Sequence, residues 1–392
     1  MINKPWGTLA GVRPAKLIHR LLDQGLDYTA ALRIMQEQRK MSQSKFDLLW
    51  NICQVERPFV VESSQPHLFS LYVGIPFCPT RCLYCSFPSH SLTELGKLRG
   101  QFIDALLQEI AETGALTQRL GLQPYTVYIG GGTPTSLTAE ELERIIMALT
   151  IAFPSRWREF TVEAGRPDTL TSAHVDMMAK HGVNRVCVNP QTMHQQTLDL
   201  IGRRHSPEDI ITAVAAIRQV NIKVLNMDLI VGLPGEDSKM VEESMRQLIT
   251  LAPENVTLHV FSRKRASRYN EVQADFTLPS PAAVVEMHNM ATAVLAQQYR
   301  PYYLYRQREI LGGLENIGYA MPGTECGYNI AMIEERHHII GLGGGASSKY
   351  IRPDFTLKNM SSPKDVRIYL QRLDELSKRR EVELLAIRGP LS

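Results

Sequence analysis

Cys78, Cys82 and Cys85 stand within eight residues, in the segment GIPFCPTRCLYCSF. This CxxxCxxC spacing lets one short loop wrap three thiolates round a single metal centre. Structural zinc generally takes four protein ligands, whereas a cubane iron-sulfur cluster held by three thiolates leaves one iron open to a substrate or cofactor. A zinc knuckle completed by His90 is the alternative reading, against which no paired CxxC or HxxxH lies nearby. Cys53, Cys187 and Cys326 are too scattered for a second cluster. Cys187 sits in an apolar run and reads as core; Cys326, in PGTECGYN, reads equally as a reactive or a buried thiol.

The elements that must position this loop follow from periodicity. Apolar runs at Leu68 to Val73, Tyr125 to Ile129, Phe160 to Val162, Arg185 to Val188, Val224 to Leu229 and Val256 to Phe261 read as strands. Amphipathic stretches at Lys97 to Arg119, Ala139 to Ala152, Ser172 to Lys180, Pro207 to Gln219 and Ser238 to Leu251 read as the helices between them. Thr138-Ala139-Glu140-Glu141 is a capping box, and Ser206-Pro207-Glu208-Asp209 supplies a cap, a proline at the first helical position and first-turn acids. Six alternations imply βαβ units and an α/β partial barrel of six strands, with chemistry at the strand C-terminal ends. Residues 1–66 read as an N-terminal helical extension, 67–270 as the partial barrel and 271–392 as a C-terminal α+β domain.

Composition narrows the class. The 392 residues are 44% apolar and 21% charged with a net charge of +3, an ordinary globular balance that points to no nucleic-acid partner. No apolar run of membrane-spanning length interrupts the chain, and Lys4, Pro5, Arg13 and Pro14 break up any signal-peptide core. The expectation is a soluble cytoplasmic protein with no membrane partner.

Beyond the cysteines, GGGTPT at 130–135, Glu163, Pro190-Gln191, DLIVGLPGE at 228–236 and GLGGGASSK at 341–349 resemble the radical S-adenosylmethionine enzymes, in particular the oxygen-independent coproporphyrinogen III oxidase family. Within it, WGTLAGVRPAK, EAGRPDTL and YLYRQREILGGLENIGYAMPGTECGYNI are similar to the HemZ-type coproporphyrinogen dehydrogenase branch. The resemblance implies a partial radical-SAM barrel with a HemN-like C-terminal domain, a 4Fe-4S cluster on the three cysteines, and one or two molecules of S-adenosylmethionine. It implies cofactor contacts at Tyr72, Tyr84, Gly130, Gly131, Gly132, Thr133, Glu163, Gln191, Arg203 and Asp228. An electron donor such as flavodoxin or ferredoxin is implied with it.

GLGGGA at 341–346 formally matches a dinucleotide-binding loop, but neither a following helix nor a ribose-binding acid is evident. It reads instead as close backbone packing against the barrel mouth, with Ser347 a cofactor contact. Arg263, Arg265 and Arg268 follow the sixth strand and open towards that mouth, where a substrate bearing several carboxylates would need counter-charges. The implied reaction is oxidative decarboxylation of two coproporphyrinogen III propionates to vinyl groups without oxygen. A radical methyltransferase, or another enzyme acting on tetrapyrroles or natural products, shares the same cofactor residues; a haem-binding chaperone is the reading from a different class.

Overall fold

The computed structural model describes residues 5–85, 87, 90–154, 157–263, 277–352 and 356–388. Three helices open the chain: α1 (Ala15–Asp23), α2 (Tyr28–Arg39), capped by Asp27, and α3 (Gln43–Ser63), capped by Ser42. Strand and helix then alternate. The strands are β1 (Leu68–Ile75), β2 (Gln123–Gly131), β3 (Glu159–Glu163), β4 (Arg185–Cys187), β5 (Val224–Val231) and β6 (Asn255–Val260). After β1 comes α4 (Arg99–Arg119), after β2 α5 (Ala139–Ala152), and after β3 α6 (Ser172–Lys180). A short α7 (Gln195–Leu200) and α8 (Pro207–Arg218) follow β4, and α9 (Ser238–Thr250) follows β5. The caps form as the sequence requires: Thr138 and Glu141 bond each other's backbone N–H groups at the start of α5, and Ser206 and Asp209 do so at α8.

The six strands lie side by side in chain order and all pair parallel, the arrangement expected of βαβ units. The remainder of the chain extends the same sheet at both edges. After α10 (Pro281–Leu295), β7 (Arg300–Tyr305) and β8 (Asn316–Ala320) form an antiparallel pair, and β8 lies against β6. After α11 (Gly327–Glu334), β9 (His338–Gly343) pairs parallel with β1, and β10 (Ser347–Ile351) and β11 (Leu357–Ser361) follow antiparallel. The sheet therefore reads β11-β10-β9-β1-β2-β3-β4-β5-β6-β8-β7. Helices α12 (Val366–Gln371) and α13 (Leu373–Arg388) complete the fold. Among the described residues no helix is long and apolar enough to cross a membrane.

GLGGGA ends β9 at Gly343 and turns back through residues 344–346 into β10 with no helix after the strand, which excludes the dinucleotide reading. Gly343 has φ +86°, and a Cβ there would lie 2.4 Å from the Gly74 carbonyl oxygen, so the strand end admits only glycine. The segment presses on β1 immediately before the cysteine loop.

Two polar knots tie the outer helices to the sheet. Trp6 donates to Glu315 (3.0 Å), which also pairs with Lys45, and Arg306 lies over the Trp6 ring and donates to the Leu9 carbonyl (2.9 Å). Arg306, which follows the tyrosine-rich strand, thus serves the N-terminal segment. On the other side Arg380 of α13, fully buried, pairs with Glu109 of α4, and the same carboxylate accepts from Tyr369 (2.6 Å) and from the Gly343 N–H (2.7 Å). Breaking such a pair from one side leaves a buried charge without its counter-charge. Arg380→Ala is expected to lower the unfolding free energy by about 3 to 5 kcal/mol in urea titration, with the Glu109→Gln/Arg380→Met pair recovering part of the loss.

Candidate active site

Side chains along parallel strands alternate between the helical layer and the interior. On β5, Leu225, Met227, Leu229 and Val231 are buried in the main core, whereas Asn226, Asp228 and Ile230 line a cavity. Thr257 and His259 on β6 and Tyr303 and Tyr305 on β7 line it too. The cavity, about 280 Å³, reaches the cluster loop, where Cys78, Cys82, Tyr84 and Cys85 form its rim.

The loop is held by the sheet's own ends. Gly131, at φ +112°, turns the end of β2, so that the Gly132 N–H donates to Ile75 O (2.7 Å) and the Thr133 N–H to Phe77 O (2.8 Å). A Cβ on Gly132 would fall 2.5 Å from Phe77 O and 3.0 Å from Cys78 Sγ, so the glycine lets this turn close over the first cysteine. The Thr133 hydroxyl is 3.4 Å from that sulfur.

Two buried guanidinium groups hold the rest of the loop. Arg203 donates to the Tyr84 hydroxyl through Nε (3.2 Å) and Nη2 (3.1 Å), and to the strand-end carbonyls of Gly165 (2.9 Å) and Asn189 (2.6 Å). Arg166 donates to the Thr80 hydroxyl (2.7 Å) and carbonyl (3.2 Å) and stands 3.9 Å from Cys82 Sγ, while Asp168 accepts from its other nitrogens. The fold thus gives Arg166 to the cluster loop. None of the three cysteines is in a disulfide. His90 donates to the Lys364 carbonyl (3.0 Å) and is absent from the rim, so it does not complete a zinc knuckle.

At the strand ends, Glu163 accepts from the Tyr128 hydroxyl (2.5 Å) and the Gly131 N–H (3.2 Å). Burial raises its carboxyl to about 7; the Tyr128 bond opposes that, nearby Asp228 adds to it, and the Gly131 bond opposes it. Burial also raises Asp228, but bonds with His259 and Asn226 outweigh it and hold this carboxylate below its ordinary range. Asn226 donates to Asp228 at 2.8 Å, and His259 stands 3.5 Å away. Gln191, at φ +70°, closes a bridge onto β5 through its backbone. Its side-chain oxygen, and that of Asn189, are buried without a protein partner, leaving acceptors unsatisfied in the cavity wall.

Other expected contacts fall elsewhere. Tyr72 lies in a ring stack with Tyr128 (6.2 Å) and Tyr328 (5.9 Å) outside the lining, and Gly130 sits behind Glu163, whose Oε2 a Cβ would approach to 2.8 Å. Ser347 is on β10 with its hydroxyl 3.1 Å from that of Ser361, away from the cavity. Arg263 is exposed and does not line the cavity; Arg265 and Arg268 lie outside the described residues. Conversely, Cys187 and Cys326 both line it, with Arg185 and Asn329. Cys326 donates to Glu159 (3.1 Å), and burial raises both thiols, so they stay protonated.

The raised Glu163 carboxyl has a measurable consequence. The unfolded chain releases this proton near the ordinary value of 4.5 and the folded chain at about 7, so the folded state loses relative stability as pH rises through that window. Glu163→Gln removes this slope: its melting temperature is expected to gain on the wild type from about pH 4.5 to about pH 7, and a constant difference would contradict the assignment.

Residues 72–248 match the model of the Radical SAM superfamily. The chain is 38% identical over 383 residues to the oxygen-independent coproporphyrinogen-III oxidase-like protein HemZ of Bacillus subtilis, covering 95% of this chain and 75% of that one. It is 30% identical over 281 residues to the haem chaperone HemW of the same organism, covering 71% and 70%. The solved coproporphyrinogen III oxidase HemN of Escherichia coli, at 22% identity, superposes with a TM-score of 0.64 over 86% of this chain and 79% of that one, which shows a shared fold. With its cysteine loop seated on the first of six parallel strands, the chain belongs to the radical SAM superfamily, in the coproporphyrinogen oxidase-like family that includes HemZ.

Proposed function

We propose that the protein catalyses the oxygen-independent oxidative decarboxylation of coproporphyrinogen III, each of two propionates losing a β-hydrogen atom, carbon dioxide and one electron to an external acceptor to become a vinyl group. The observation that carries this reading is one cavity joining three cysteines of a single loop to polar groups on five consecutive strands, Gly131, Glu163, Cys187, Asp228 and His259. Membership of the superfamily brings a 4Fe-4S cluster and S-adenosylmethionine, and the residues fit both: three cysteines outside any disulfide on one rim, a glycine turn closed over Cys78, and unsatisfied acceptors on Gln191 and Asn189.

Bound there, the pair supplies a 5'-deoxyadenosyl radical from one electron delivered by a donor such as flavodoxin or ferredoxin. Cys78, Cys82 and Cys85 would hold the cluster. Gly131, Gly132 and Glu163 would receive the amino group of the cofactor, and Gln191, Arg203 and Asp228 its carboxylate and ribose. The protein's own work is to position and to keep water out. Tyr303 and Tyr305, ring planes 4° apart at 6.3 Å, form with Ile230 and Phe261 an apolar wall suited to a tetrapyrrole face.

A second reading, haem transfer, is supported by the identity to HemW. An anaerobic assay of the reconstituted, reduced protein with S-adenosylmethionine and coproporphyrinogen III separates the readings. Two carbon dioxide losses per porphyrinogen, coupled to deoxyadenosine, are expected, with both signals and the bound iron lost in Cys82→Ala. Deoxyadenosine with a methylated product would replace decarboxylation by methyl transfer, and stoichiometric haem binding without deoxyadenosine would favour the chaperone.

A further inference from the structure

A second cluster of metal-ligating side chains lies under the N-terminal helices, and none of its members lines the active-site cavity. His19 of α1 and Cys53 and Glu56 of α3 are fully buried, and their ligating atoms all lie within 4.8 Å of one another. Glu56 Oε2 is 2.8 Å from His19 Nε2, and Glu334, from the last turn of α11, brings a carboxylate oxygen to 3.8 Å from the same nitrogen. Cys53 Sγ faces the Ala15 carbonyl at 3.6 Å.

What sets this cluster apart from an ordinary buried network is how much of it lacks a hydrogen bond. His19 Nδ1, Glu56 Oε1 and both oxygens of Glu334 are buried with no hydrogen-bond partner. Buried polar groups are otherwise almost always satisfied, and two carboxylates brought together in this state are costly. The nearby cations are committed elsewhere: Arg57 and Arg336 each pair with Asp23 at 2.6 Å, and Arg13, Lys16 and Lys349 pair with Glu335. Glu56 Oε1 and both Glu334 oxygens take no hydrogen bond from them.

We propose that His19, Cys53, Glu56 and Glu334 form a structural site for one divalent cation of the zinc class. The donor set is a nitrogen, a sulfur and two carboxylates, four ligands of the types zinc takes when its site is closed to solvent. Binding displaces to solvent the Cys53 thiol proton and any protons held by the buried Glu56 and Glu334 carboxyls, as metal capture by such ligands requires. The ion would join α1 and α3 to α11, the helix preceded by Cys326 and carrying Asn329, both of which line the cavity. The proposal is independent of the substrate and of the cluster on Cys78, Cys82 and Cys85.

The test uses the full chain with Cys78→Ala, Cys82→Ala and Cys85→Ala, so that the active-site loop holds no metal. After loading with zinc and desalting, one zinc ion per chain is expected, with a higher melting temperature than the chelator-treated protein. Loading with cobalt instead is expected to give a thiolate-to-cobalt charge-transfer band that disappears when Cys53→Ala is added. A folded triple variant that retains no zinc and shows no cobalt-thiolate band overturns the proposal without any change at the site itself. A band that persists in the Cys53→Ala variant overturns it too, by placing the metal on another thiol.

Discussion

The whole arrangement depends on one constraint: six strands that pair parallel and in chain order must put their carboxyl ends at one edge. Each strand shows alternate residues to the helices and to the interior, so its polar residues can only point inward. That is why Asp228 stands between Met227 and Leu229, two core residues, and still reaches the cavity. The acid can stay ionised in such a place because Asn226, two residues earlier on the same face, and His259, on the neighbouring strand, meet it there. Charge in this interior is arranged by register before it is arranged by composition.

The cluster loop itself has little regular structure and borrows its shape from arginines. Arg203 and Arg166 come from different crossovers, yet both reach the loop, Arg203 bonding strand-end carbonyls at the same time and Arg166 the carboxylate of Asp168. A planar guanidinium with five donors can serve several acceptors in fixed directions, which a lysine cannot do. Tyr84 is therefore oriented through its hydroxyl, and the cysteines on either side follow. The same pattern, a buried arginine bonded to carbonyls, recurs at Arg185, which donates to the Thr324 and Glu325 carbonyls beside Cys326.

Much of this was legible in the chain. The six parallel strands and the helices between them follow from apolar periodicity and from caps at Thr138 and Ser206, because those signals are local. The cysteine loop, Glu163 and Gln191 could be placed at or after strand ends for the same reason, whereas Asp228, read at the end of its strand, lies within β5, which runs on to Val231. Long-range pairing left no such trace. That β9 would pair with β1 and β8 with β6 depends on contacts between distant segments, so the C-terminal part read as a separate domain although its strands continue the sheet. The short α7 was missed because six residues hold too little periodicity to register. Arg166 left no signal of its role, because nothing local in EAGRPDTL shows that its guanidinium reaches the cysteine loop. Ser347 was placed by its motif, whereas the β9 to β10 turn carries its hydroxyl to the neighbouring strand.

The β1–β9 pairing also orders events at the ribosome. Phe69 waits for His338 and Gly74 for Gly343, so one flank of β1 has no ladder until nearly the whole chain has been translated. Contacts so far apart along a chain form late and slowly. The cysteine loop follows β1 directly and is synthesised early, but the turn that presses on its base arrives with β9. Until then the thiols hang from a strand with an open edge, exposed to stray metals and to other nascent strands. The base of the cysteine loop therefore takes its final packing only once β9 has been made.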